Sequence, residues 1–92
     1  MILWEEESLN DREKIFEFLY GFNLEVAERT DNIIEAKVEK LLQQPMVGVQ
    51  RDGIRGRLLV TPEVSMIVSY WVKGSVIRVM RVLHQKQKFP AD

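Results

Sequence analysis

The stretch Met66-Ile67-Val68-Ser69-Tyr70-Trp71-Val72, followed by Lys73-Gly74-Ser75 and then Val76-Ile77-Arg78-Val79-Met80-Arg81-Val82-Leu83-His84, decides the fold. β-branched and aromatic residues crowd both arms and a Lys-Gly turn separates them, so the spacing predicts a β-hairpin over residues 66–72 and 76–84. Working outward, Thr61-Pro62-Glu63 is a turn, and residues 55–60 read as a strand that feeds into it. Before that strand, Gly48, Gly53 and Gly56 break a basic loop, Gln50-Arg51-Asp52-Gly53-Ile54-Arg55. Pro45 ends whatever precedes the loop.

What precedes it has helical spacing. Val26, Ala27, Ile33, Ile34, Val38, Leu41 and Leu42 form an apolar stripe over residues 24–44, with Glu25, Glu28, Asp31, Glu35 and Glu39 on the other face. Asn23 is its expected N-cap, and Gly21 marks a break before it. An earlier helix is expected over residues 8–22, where Ile15, Leu19 and Phe22 recur at helical intervals beside Phe16 and Tyr20. Ser8-Leu9-Asn10-Asp11 reads as its start, with the Ser8 hydroxyl on a first-turn amide and Asp11 reaching back. Residues 2–6 complete the pattern as a short strand around Trp4. The order β-α-α-β-β-β is an α+β class: one domain over residues 1–92, an antiparallel sheet with an N-terminal helical hairpin on one face.

Composition narrows the function. The 92 residues are 46% hydrophobic and 29% charged, the balance of a soluble globular domain. With no cysteine and one histidine, disulfides, thiolate zinc sites, thiol nucleophiles and histidine metal clusters are excluded. No cofactor is expected, since no Gly-rich phosphate loop follows a strand. No apolar run reaches the ~20 residues that span a bilayer, and the N-terminus is acidic, so a cytoplasmic protein with no membrane partner is expected.

The formal net charge of −1 hides an asymmetry. Residues 1–45 hold eleven acidic and five basic residues, whereas residues 46–92 hold three acidic and eight basic ones. Such a split points to a polyanion or an acidic partner. Strand alternation puts Arg55, Arg57 and Leu59 on one face, expected to point away from the helices. It puts Arg78 with Val76, Met80, Val82 and His84, and Arg81 with Ile77, Val79 and Leu83, so Arg81 is expected to pair with a carboxylate. Arg51, Arg55, Arg57, Arg78, His84, Lys86 and Lys88 are the candidate target-binding residues. Metal-free phosphoryl chemistry on RNA needs arginines to stabilise charge and one group to move a proton. Arg57, His84 and Lys86 are the candidates for it, although a lone histidine at a strand end is more often a structural hydrogen-bonder. Tyr70 reads as a buried aromatic with its hydroxyl at the rim, and Trp71, on the opposite face, reads as core.

The element order, the helix ending Leu42-Gln43-Gln44-Pro45, the strand around Tyr70-Trp71 and the closing Arg81-Val82-Leu83-His84-Gln85-Lys86-Gln87-Lys88-Phe89-Pro90 together resemble the RelE/ParE superfamily. These are the toxins of type II toxin–antitoxin modules, and the closing segment is similar to that of the ParE branch. The resemblance implies a growth-inhibiting toxin neutralised by a cognate antitoxin, and a target that is a gyrase–DNA complex in the ParE branch or ribosome-bound mRNA in the RelE branch. The RelE catalytic pattern carries over poorly. Arg57 matches one basic strand position, but the next falls on Leu59, a third falls on Ile67, a tail arginine becomes Lys86, and Phe89 lacks the hydroxyl of the terminal tyrosine. The departures favour the ParE branch, acting by binding. A RelE-like mRNA interferase and a non-toxic nucleic-acid-binding module are the alternatives.

Overall fold

β1 (Ile2–Trp4) runs straight into α1 (Glu6–Tyr20), which turns at Gly21–Asn23 into α2 (Leu24–Glu39) and a 3-10 turn at Lys40–Leu42. A connection over residues 43–56 leads to β2 (Arg57–Thr61), a second 3-10 turn at Pro62–Val64, β3 (Met66–Lys73) and β4 (Val76–His84). The computed structural model describes residues 1–87. The sheet order is β1-β4-β3-β2. The class is α+β as expected, but the sheet is mixed: β1 lies parallel to β4, with Ile2 opposite Ile77 and Trp4 opposite Val79. Met1 pins this edge, its ammonium donating to the Ser75 carbonyl at 2.8 Å while its own carbonyl accepts from the Ile77 amide at 2.9 Å.

The core forms where α2 crosses the sheet. Ile34, Val38 and Leu41 pack on Met66, Val68, Tyr70, Ile77, Val79 and Val82, all buried. Ile2, Trp4, Ile15 and Leu59 close its margins. Burying each such aliphatic side chain stabilises the fold by about 1.5–3 kcal/mol. Asn23 caps α2 as expected, its Oδ1 accepting from the Glu25 and Val26 amides at 2.8 and 3.3 Å. Arg12 ties the two helices together: it donates to Asp31 through two nitrogens at 2.8 Å and to Glu35 at 3.0 Å, and stacks over the Trp4 ring at 4.4 Å. Hydrogen bonding to Asp31 raises the Arg12 pKa further above its ordinary value.

Four expectations are corrected. α1 starts a turn earlier, at Glu6, because Ser8 and Asp11 face the sheet and are buried. Ser8 donates to the Glu5 carbonyl at 2.6 Å, and Asp11 reaches β4 instead of its own backbone. Second, Ser69 pairs with Arg81 but Tyr70 with Val79, so Met80 is an extra residue, a β-bulge. The bulge shifts the alternation by one, and Val82 therefore joins Ile77 and Val79 in the core. Third, Arg57 lies opposite Tyr70 and Leu59 opposite Val68, so these β2 residues share the helix-facing side and not the open one. Phe22, expected in the apolar stripe of α1, is exposed and stacks edge-on against Phe18.

Candidate functional site

Tyr70 organises the connection before β2. Its fully buried ring sends the hydroxyl out between two backbone groups, accepting from the Gly48 amide and donating to the Pro45 carbonyl, both at 2.8 Å. The chain at Gly48 passes so close that a Cβ there would lie 2.5 Å from the Tyr70 oxygen. Val49 then pairs with Leu58 along the outer edge of β2, which blunts that edge. Arg57 completes the fastening: its Nη1 donates to the Met46 and Gly48 carbonyls at 3.1 and 2.8 Å. Removing the hydroxyl in Tyr70→Phe is expected to destabilise the fold by about 2 kcal/mol, since it strips the partners from two backbone groups. Urea denaturation checks this, and faster amide exchange at Gly48 is the local signature.

The expected basic patch is not one patch. Arg55 is exposed and lies over the Trp71 ring at 4.2 Å, with Arg51 exposed in the same connection. Trp71 is half-buried on the open face as a platform for Arg55, not a core residue. Arg78 donates twice to Glu5 Oε1, at 2.8 and 2.5 Å, which offsets its charge. His84 and Lys86 lie at the far end of β4, where His84 Nδ1 accepts from the Lys86 amide at 3.2 Å. Lys88 lies outside the described residues. Arg57 sits opposite Tyr70 and His84 opposite Met66, on the two strands that flank β3. Strand spacings put their backbones roughly 17 Å apart, so the candidate ribonuclease trio does not converge. Arg81 meets its carboxylate: it donates to both oxygens of Asp11, at 2.8 and 3.1 Å, and that bonding raises its pKa further above its ordinary value.

An apolar concavity lies elsewhere. Between the helical hairpin and the ends of β3 and β4 is a cleft of about 710 Å³. Ile15, Phe18, Leu19, Val26, Met66 and Val82 give it apolar walls, with Lys14, Arg29 and His84 among its polar lining. Glu63 also lines it and is bridged by Lys37 at 2.9 Å, a hydrogen bond that holds the carboxyl below its ordinary pKa. Among the described residues, no group of three or more histidines or carboxylates is placed to hold a metal ion. Among the described residues, no helix is long and apolar enough to cross a membrane. The cleft lies between elements, so no single stretch of sequence announces it, and Phe18, an apolar residue outside the expected stripe of α1, is its one sequence signal.

A family model described as the ParE toxin of the type II toxin–antitoxin system, parDE, matches residues 2–89. The chain belongs to the ParE toxin family. It is a ParE-like toxin of a type II module, and such a module includes a cognate antitoxin. Among solved structures, the chromosomal ParDE system of P. aeruginosa superposes with a TM-score of 0.78 at 22% identity, covering 90% of this chain and 92% of that one. That likeness bears on the fold: two helices followed by a four-stranded mixed sheet. No curated protein matches the sequence. In this ParE-family chain the helical hairpin and the bulged β4 form the apolar cleft, while the arginines of the β2 connection occupy the opposite end of the sheet.

Proposed function

We propose that this toxin acts in the cytoplasm, arresting replication by binding a gyrase–DNA complex without itself catalysing a reaction, and so contributes to plasmid stabilisation. The observation that supports binding over RNA cleavage is the separation of Arg57 from His84 and Lys86. A phosphodiester transfer needs its proton donor, acceptor and charge stabiliser within hydrogen-bond reach of one phosphate. Here Arg57 lies opposite Tyr70 near one end of the sheet and His84 opposite Met66 at the other, so the two cannot reach one phosphate. The exposed cations Arg51, Arg55 and Lys86, with Lys88 by sequence, are the proposed contacts to the target complex. The test is a plasmid reaction with purified gyrase. Added toxin is expected to accumulate cleaved DNA, and Lys86→Glu to weaken that effect with its fold intact. Cleavage of ribosome-bound mRNA, lost in His84→Ala, would overturn the proposal in favour of the RelE-like reading.

The antitoxin is proposed to seat an amphipathic helix in the cleft, apolar side inward, with carboxylates toward Lys14 and Arg29. Phe18 lines the cleft yet is 68% exposed, so it is replaceable without unfolding the chain. Phe18→Glu is expected to leave toxicity intact while weakening antitoxin binding by about a hundredfold, the loss of one aromatic anchor. Co-expression growth assays and calorimetry read the two effects separately.

A further inference from the structure

A second, smaller cleft of about 350 Å³ opens beside Trp71, at the other end of the sheet from the apolar one. Met46, Gln50, Arg55, Gly56, Arg57 and Trp71 are among the residues that line it. Its chemistry is specific. The Arg55 guanidinium carbon lies 4.2 Å from the centroid of the indole ring, a cation–π contact. Gly56 makes that contact possible: a Cβ at this position would fall 2.3 Å from Trp71 Cδ1. Arg57 is fastened by two neutral carbonyls, which orient its guanidinium without cancelling its charge. Gln50 adds an amide that both donates and accepts. No carboxylate lines the cleft among the described residues. A guanidinium–indole stack, a second guanidinium held by neutral carbonyls, a thioether and one amide suit a flat aromatic group joined to a phosphate.

We propose that this cleft binds one unpaired nucleotide, its base extending the Arg55–Trp71 stack, its phosphate beside Arg57 and its base edge read by Gln50. Bases stack on guanidinium planes and on indoles alike, and such stacking tolerates any base. The volume is at the small end of ligand pockets, which suits a single nucleotide. Arg55 belongs both to this cleft and to the proposed gyrase contacts, but the test is independent of the gyrase proposal because binding is measured with no topoisomerase present.

The test uses fluorescence anisotropy of a fluorescein-labelled twelve-nucleotide oligodeoxythymidylate with the full chain, against the same length of duplex and with thymidine monophosphate as competitor. The single strand is expected to bind more tightly than the duplex. Trp71→Leu, checked for folding by circular dichroism, is expected to weaken it about tenfold or more, the loss of one stacked base. Arg55→Gln, an exposed change, is expected to weaken single-strand binding severalfold by removing the guanidinium plane on which the base stacks. Competition by the monophosphate assigns the site to free nucleotides, and failure to compete assigns it to a strand; either supports the proposal. Duplex bound as tightly as single strand, no binding at all, or Trp71→Leu and Arg55→Gln variants that bind like the parent chain would overturn it.

Discussion

Replacing Asp11 with alanine is expected to destabilise the fold by about 3 kcal/mol or more, the range for stranding one partner of a buried ion pair. In a chain of this size that lowers the melting temperature by about 15 °C. The reason lies at the edge of the sheet. β1 covers β4 only as far as Val79, where the Glu5 amide donates to the Val79 carbonyl at 3.0 Å. Beyond that point β4 is paired with β3 on one side, and among the described residues no strand lies along its other side. The Val82 amide would be a buried, unpartnered donor, and Asp11 Oδ2 accepts from it at 2.9 Å. Both Asp11 oxygens also take the Arg81 fork. One side chain of α1 thus replaces the missing strand and anchors the helix to the sheet. Alanine strips the partner from a buried amide and leaves a half-buried guanidinium without its fork. Asp11→Asn keeps an acceptor for Val82 and is expected to lose about half as much. Urea denaturation of the two variants checks the order, and a loss below about 1 kcal/mol in Asp11→Ala would contradict this account.

Gly56→Ala is expected to be of similar severity, about 2–5 kcal/mol. The residue has φ +76°, which costs an alanine about 1–2 kcal/mol. The added Cβ would lie 2.4 Å from the Tyr70 carbonyl oxygen and 2.3 Å from Trp71 Cδ1. The indole can rotate away, but the carbonyl belongs to β3 and is fixed by the sheet. Relief therefore requires β2 to part from β3 at its first residues, an overpacking cost of about 1–3 kcal/mol. Gly53 has φ +79° with nothing within 4 Å of an added Cβ, so it is the internal control. Gly53→Ala is expected to cost only the conformational part. Equal losses at the two sites, measured by thermal unfolding, would show that the packing argument at Gly56 is wrong.

The elements were legible because their signals are local. β-branched runs, a Lys-Gly turn, an Asn cap and a proline stop each act within a few residues, and β4 falls at Val76–His84 as the sequence suggests. What the sequence hides comes from contacts between residues far apart. Asp11 looks like half of a capping box, but a buried amide seventy-one residues away competes for the same carboxylate and wins. Strand alternation fails at Met80, since a bulge leaves no mark in a run of apolar and basic residues. It also misplaces Arg57, whose long side chain starts on the core side and turns out to the loop carbonyls at the sheet margin. The basic residues of the second half are present as counted, but Arg78 and Arg81 are spent on Glu5 and Asp11. The apolar cleft and the Trp71 shelf are properties of two or three elements together, which no single stretch announces.

The central claim is that this ParE-family chain stops growth by acting on replication. The most direct measurement is incorporation of labelled thymidine and labelled methionine in bacteria, within minutes of inducing the chain in the absence of antitoxin. Thymidine incorporation is expected to fall first, with methionine incorporation following only as growth stops. Methionine incorporation falling first would contradict the claim and return Arg57, His84 and Lys86 to the position of catalytic candidates on the ribosome.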